Sequence, residues 1–232
     1  MIMRFTSFAA KSALIAWASL APPIAAQALL PGTAAEQFLA VGRVNVVGAG
    51  FCTGTLIAPD LVLTAAHCLY HPRSKRRVTD DRLHFVAGYR KGSFAAHRRV
   101  ANSAVPESYR YEELPADIAL LRLEEPVGPV GVTPISPAPF GSVTQVSVVS
   151  YDRRRPEAPS RQTACEALAP NAALFRLTCL SDFGASGAPV LVGNTPSLAA
   201  VIVAKSRGRG ATPAIALSIE NHLTVLKNML GR

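Results

Sequence analysis

The chain has 232 residues, 49% of them hydrophobic and 17% charged, and this composition excludes a disordered protein. Its formal net charge of +9 results from 24 Lys and Arg against 15 Asp and Glu. The basic residues cluster in loop-like stretches that lack interleaved aromatic residues and a recognition helix, which indicates solvated loops rather than a nucleic-acid-binding surface.

Residues 1–28 have the order of a secretory signal: basic residues, an apolar run, then small residues. The apolar run at 12–21 is about ten residues long and so too short to span a bilayer, although a single membrane anchor is the alternative. We therefore predict cleavage after Ala26 or Ala28, export to the periplasm or the cell exterior, and no stable membrane insertion after cleavage.

Short apolar runs separated by turn-forming residues follow the signal, a pattern typical of an all-β sandwich or barrel. They are VGRVNVV, FCTGTLIA, LVLTAA, LHFVAG, DIALLRL, VTQVSVVSY, LFRLTCL, APVLV and SLAAVIVA. A Pro- and Gly-rich stretch at 124–141 divides the chain, which predicts domains at 29–125 and 126–232.

The last segment changes to a helical period. Apolar residues at 219, 223, 226 and 230 fall on one helical face, and Ser218 is the candidate N-cap. We therefore predict two β-domains and a closing C-terminal helix.

Four cysteines follow the signal: Cys52, Cys68, Cys165 and Cys179. An even number in an exported chain predicts two disulfides, and three connectivities are possible. Zinc is disfavoured because no two of these cysteines have C-x₂₋₄-C spacing, so no metal is expected.

Three residues supply the groups that acyl transfer requires: a nucleophile, a base and a carboxylate that orients the base. His67 ends an apolar strand, whereas the other four histidines lie in polar or amphipathic surroundings. Asp117 heads the strand DIALLRL, where a buried carboxylate needs a partner. Ser186 lies between two glycines in GASGAP. Taken singly, Asp117 would face solvent and Ser186 would belong to a Gly-rich turn.

The motifs TAAHC, DIALL and GASGAP, in that order, resemble those of the chymotrypsin-like (trypsin-like) serine protease family, and the likeness runs from about Val41 to Leu230. An α/β-hydrolase is excluded because its elbow reads G-x-S-x-G and its order is Ser, Asp, His, whereas this chain has Ala188 at the second glycine. The resemblance implies a secreted serine endopeptidase in which His67 is the general base, Asp117 orients it and Ser186 is the nucleophile.

The same resemblance implies the architecture. It predicts an all-β fold of two perpendicular six-stranded antiparallel Greek-key barrels with a C-terminal helix, and an active site in the cleft between them. The backbone N–H groups of Gly184 and Ser186 would form the oxyanion hole. It also implies the disulfides Cys52–Cys68 and Cys165–Cys179. No cofactor is implied, the partner is a protein or peptide substrate, and we expect a monomer.

Substrate-binding residues are expected near Ser181, Asp182 and Val203, by the same resemblance. Leu180 takes the position of the trypsin-type aspartate, which argues against cleavage after Lys or Arg, although a shifted loop at Asp182 would restore that preference.

Two departures from the family pattern concern activation. Animal digestive members carry an aspartate directly before the serine, where this chain has Ala185, and AVGRV at 40–44 lacks their Ile-Val-Gly-Gly start. We therefore expect activity without an internal salt bridge from a new N-terminus, and the chain resembles compact bacterial members such as the glutamyl endopeptidase group. The alternatives are a catalytically silent binding module on the same fold and a basic surface-binding protein.

Overall fold

The structure is a computed structural model that describes residues 28–128, 131–141, 143–169 and 173–231. Apart from Ala28, the predicted secretory signal lies outside these residues. Within these ranges, no helix is both long enough and apolar enough to cross a membrane.

Thirteen β-strands and two α-helices form the regular structure of the described residues. The first half contains β1 (Ala28–Leu29), α1 (Gly32–Ala35), β2 (Val41–Val46), β3 (Gly50–Ala58), β4 (Leu61–Thr64), β5 (Leu83–Ala87), β6 (Ala96–Ala104) and β7 (Ala119–Leu123). The second half contains β8 (Gln145–Asp152), β9 (Arg155–Leu168), β10 (Leu174–Ser181), β11 (Pro189–Val192), β12 (Ser197–Lys205), β13 (Thr212–Ser218) and α2 (Leu223–Leu230).

The strands form two closed antiparallel barrels of six strands each. The first barrel has the order β2-β3-β4-β7-β6-β5, and the second has β8-β9-β10-β13-β12-β11, closed by pairing of β8 with β9. Both rings therefore follow the same connectivity, with the fourth strand returning to pair with the first. The short β1 extends the second sheet by pairing with β9. The predicted fold class is confirmed.

Four strands were not among the apolar runs recognised in the sequence: β1, β6, β9 and β13. In β6 and β9 the buried positions are separated by exposed polar or charged residues, because these strands have one face in water. Such strands bury only one face, so their hydrophobic signal is weaker than that of the fully buried β11 or of β3, whose six central residues are all buried.

The C-terminal helix α2 is present, and it packs on β6 and β7 of the first barrel. Its Leu226 and Leu230 are buried there. Its N-cap residue is His222, so the expectation that Ser218 caps the helix is wrong. Ser218 is instead the last residue of β13, where it pairs with Ala200. The last element of the chain thus returns to the first barrel and ties the two halves together.

Candidate active site

His67 and Asp117 meet at neighbouring strand ends of the first barrel. His67 lies in the 3₁₀ turn that follows β4, and Asp117 lies two residues before β7. These strands pair with Thr64 opposite Ala119, so the residues just beyond them are brought together. The His67 ring Nδ1 lies 2.6 Å from Asp117 Oδ2, and the His67 backbone N–H donates to Oδ1 at 2.8 Å.

This double contact fixes the orientation of the imidazole ring. Carboxylate oxygens accept hydrogen bonds, so Nδ1 is the donor in this pair and Nε2 is left to act as an acceptor. Asp117 is only 2% exposed, and both of its oxygens are used by the same histidine. The expectation that this carboxylate is buried and paired, rather than facing solvent, agrees with the geometry.

Burial around Asp117 also affects the neighbouring Tyr109. The Tyr109 phenol is buried, which raises its pKa far above the ordinary value, and the Asp117 charge raises the pKa further. Among the described residues, the Tyr109 hydroxyl has no hydrogen-bond partner. The Tyr109 phenol therefore stays neutral and places no negative charge beside Asp117.

Ser186 comes from the other barrel, in the turn between β10 and β11. Its side chain lines the same cleft as His67. Within the described parts of the chain, Ser186 Oγ makes no direct hydrogen bond to His67. Such bonds are commonly long in active sites without substrate and tighten when substrate binds. The fold therefore brings His67 and Ser186 to one cleft, with the buried Asp117 bonded to His67.

Two backbone N–H groups beside the serine are free to donate. Among the residues that the structure describes, the N–H groups of Gly184 and Ser186 have no acceptor. Gly184 has φ +97, and a Cβ on it would lie 2.6 Å from a Phe51 ring atom, so only glycine fits. Two unpaired amides at one cleft are a suitable site for a developing oxyanion.

Thr53 of β3 holds this loop, and no sequence pattern indicates its role. Its N–H donates to the Ser186 carbonyl at 2.9 Å, and its hydroxyl donates to the Gly184 carbonyl at 2.9 Å. The same hydroxyl accepts the Tyr151 N–H at 3.1 Å. In the sequence, Thr53 is only a polar residue within a buried strand, and the partner at Gly184 is 131 positions away.

Gly187 allows the barrels to approach at this point. A Cβ on Gly187 would lie 2.2 Å from both the Thr53 carbonyl oxygen and Thr64 Oγ1. No side chain fits there, since real contacts of a Cβ with backbone atoms are much longer. The glycine after Ser186 is therefore required by packing between the barrels.

Both disulfides implied by the resemblance are present. Cys52–Cys68, the first-barrel disulfide, joins β3 to the turn that carries His67, and Cys165–Cys179, the second-barrel disulfide, joins β9 to β10. One ligand atom each of Cys52, Cys68 and His67 lies within 4.8 Å of the others. Because the two sulfurs are bonded to each other, this cluster supplies no thiolates to a metal, and the disulfide instead packs against the histidine.

The predicted substrate-binding residues lie in the second barrel. Ser181 is the last residue of β10, Val203 lies in β12, and both are buried. Asp182 follows Ser181, and its side chain is 0% exposed. Its carboxylate lies 3.0 Å from Arg153 Nε and 3.7 Å from Lys205 Nζ. This charge is therefore already compensated by cations of the chain.

The cleft beside Ser186 has a volume of about 320 Å³. Its walls are largely aromatic and apolar, and they include Phe51, Tyr70, Tyr111 and Phe183 together with the first-barrel disulfide. Phe183 is 64% exposed at its edge. Such a surface suits apolar side chains of a polypeptide better than charged ones.

Comparison with known proteins identifies a matching family and proteins of similar sequence. The Trypsin family matches residues 33–226. The snake venom serine protease serpentokallikrein-1 of Protobothrops mucrosquamatus is 26% identical over 234 residues, covering 84% of this chain and 83% of that protein. Coagulation factor XII of Sus scrofa is 37% identical over 82 residues, covering 34% of this chain and 12% of that protein.

Proposed function

Because the chain belongs to the Trypsin family of serine proteases, we propose that it is a secreted serine endopeptidase that forms an acyl-enzyme on Ser186. The observation that carries the proposal is the double contact of His67 with Asp117 at the edge of the cleft that also contains Ser186. This arrangement leaves Nε2 of a positioned imidazole available to a neighbouring hydroxyl.

The proposed reaction proceeds in two steps. Ser186 Oγ attacks the carbonyl carbon of the scissile peptide bond while His67 Nε2 takes its proton, and the same proton then passes to the leaving amine. Water repeats the sequence on the acyl-enzyme and releases the second product. Asp117 keeps the imidazole oriented and stabilises the imidazolium that forms between the steps.

The oxyanion of each tetrahedral intermediate would be bound by the N–H groups of Gly184 and Ser186. Preorganised donors of this kind contribute strongly, since removal of one donor slows catalysis by roughly 10²–10³-fold in a comparable enzyme. Support comes from the unpaired state of both amides among the described residues, and from the two Thr53 hydrogen bonds that hold the carbonyls of the same loop.

For specificity, we place Ser181, Asp182 and Val203 in the wall of the primary pocket. The compensated charge of Asp182 supports the expectation that Lys and Arg are not preferred at the scissile bond. The aromatic cleft beside Ser186 supports a preference for apolar substrate residues near the scissile bond. Ala185 supports a likeness to compact bacterial members such as the glutamyl endopeptidase group, active without a salt bridge from a new N-terminus.

Export, domain division and monomeric state belong to the same proposal. Two disulfides support an oxidising destination, the periplasm or the cell exterior. Residues 1–28 would be the signal, 29–125 the first barrel, and 126–232 the second barrel with its helix.

The test is labelling of the purified mature protein with a fluorophosphonate, which reacts with activated serines. We expect labelling of the wild type and none of Ser186→Ala. A library of peptides would then define the cleaved bond. Folded wild-type protein that resists labelling and cleaves no peptide would contradict the proposal and favour the catalytically silent binding module.

A further inference from the structure

A buried carboxylate surrounded by cations lies directly before the serine loop. The Asp182 side chain is 0% exposed, and it is within 4.0 Å of three basic groups, on Arg153, Arg154 and Lys205. A buried charge is costly unless it is paired and hydrogen-bonded. The energetic cost of burying this ion cluster, two residues from Gly184, indicates that the cluster has a function.

Asp182 is bonded to the loop that contains the two free amides. Its Oδ1 accepts the Phe183 N–H at 2.9 Å, and its backbone carbonyl accepts the Ala185 N–H at 3.0 Å. The Phe183 carbonyl in turn accepts the Arg153 N–H at 2.8 Å. The peptide groups on both sides of Gly184 are thus fixed by Asp182 and by its partner Arg153.

The cations connect the carboxylate to separate parts of the second barrel. Arg153 lies in the turn between β8 and β9, and its Nε donates to Asp182 Oδ2 at 3.0 Å. Lys205 ends β12, with Nζ 3.7 Å from Asp182 Oδ1 and 2.6 Å from the Gly210 carbonyl oxygen. The Asp182 carboxylate therefore holds three chain segments together beside the cleft.

The residue directly before the serine, Ala185, has no polar side-chain group that could hold the serine loop in place. Ala185 is apolar and only 2% exposed, so no charge at that position fixes the loop. The ion cluster also fixes Phe183, whose ring lies 5.1 Å from the Arg153 guanidinium and 5.3 Å from Lys205 Nζ. The exposed ring at the edge of the cleft is thus held by the same two cations.

We propose that Asp182 is a positioning residue that holds the Gly184 and Ser186 amides in the oxyanion-binding arrangement through its pairing with Arg153 and Lys205. This inference rests on the proposed function. It assigns to the Asp182 charge an internal role instead of the recognition of a basic substrate residue.

The test compares Asp182→Asn with the wild type. Asparagine keeps an oxygen for the Phe183 N–H but removes the charge that the cations require. We expect the second-order rate constant of fluorophosphonate labelling to fall about 100-fold, the size of effect that a small misplacement of catalytic groups produces. With a peptide substrate from the library, kcat should fall while KM changes by less than about twofold, since the amides act in the transition state.

The matched control is Asp60→Asn in the first barrel, where Asp60 pairs with Arg122 at 3.3 Å. This variant also loses an ion pair but leaves the serine loop untouched, so its labelling rate should equal that of the wild type. Lys205→Met, which keeps the Arg153 pair, replaces Asp182→Asn if that variant does not fold, and it should label more slowly than the wild type.

The outcomes separate this inference from the proposed function. Unlabelled wild type would overturn the proposed function and this inference with it. Labelled wild type with equally fast labelling of Asp182→Asn, or of Lys205→Met as its substitute, would overturn the inference alone. So would a loss confined to substrates with Lys or Arg at the scissile bond, because Asp182 would then recognise substrate.

Discussion

Removal of the Thr53 hydroxyl is expected to destabilise the contact between the barrels. Thr53 is 0% exposed, and Thr53→Val keeps the shape of the side chain while removing its polar atom. The Tyr151 N–H then loses its acceptor, and the Gly184 carbonyl loses a donor. A buried polar group left without a partner costs about 1–3 kcal/mol, so two such groups, one of them partly buried, cost about 2–4 kcal/mol.

The expected change in Tm follows from the size of the chain. For domains of about 150–250 residues, each kcal/mol shifts Tm by roughly 2–4 °C, so Thr53→Val should lower Tm by about 4–16 °C. The assay is thermal unfolding followed by circular dichroism. Labelling by the fluorophosphonate should also slow, because Thr53 holds the carbonyl of Gly184.

The chain provides a matched control two residues further along β3. Thr55 is also 0% exposed, but among the described residues its hydroxyl has no hydrogen-bond partner. Thr55→Val removes an unpaired buried hydroxyl, so Tm should stay unchanged or rise. Equal Tm changes for the two variants would refute the reasoning, since the substitutions differ only in the hydrogen bonds that they remove.

Three further predictions concern packing, disulfides and pH. Gly187→Ala should cost at least about 3 kcal/mol in urea melts, because its Cβ would meet Thr53 and Thr64 at 2.2 Å, whereas Gly128→Ala, with open space, should be neutral. Replacing either disulfide by alanines should cost about 3 kcal/mol, but only loss of the first-barrel disulfide should also slow labelling, since it packs against the histidine. Burial, with nearby positive charge, holds the pKa of His84 below its ordinary 6.5, so the unfolded chain binds more protons and stability should fall as pH decreases through that value. A pH series of melts in which His84→Asn retains the full decrease would contradict this last prediction.

Much of the fold could be predicted from local patterns of apolar and polar residues in the sequence. The largely buried strands β3, β4, β7, β8, β11 and β12 appear as short apolar runs, because burial of both faces selects apolar residues in succession. The half-exposed β6 and β9 were not recognised in the sequence. Each exposes polar residues on one face, and its apolar and polar residues alternate only in part. The misplaced cap at Ser218 has a similar origin: local preference for a capping serine was overridden by pairing within β13.

The candidate site was readable because its residues occur in motifs. His67, Asp117 and Ser186 stand in TAAHC, DIALL and GASGAP, and those short segments carry the family resemblance. Ser181, Asp182 and Val203 had no such motif, and their role in substrate binding stays a prediction. Thr53 was missed because a threonine in a buried strand has no distinguishing sequence signal.

The sequence by itself determined which residues are the candidate reacting groups, the glycines beside the serine and the even number of cysteines. It determined them because each depends on residue type and on neighbours within a few positions. Only the tertiary structure decided which distant groups meet: Thr53 with Gly184 across the two barrels, and Asp182 with Arg153 and Lys205. Those contacts join segments that lie far apart in the chain, and their geometry is set by barrel closure and packing, which no local pattern encodes.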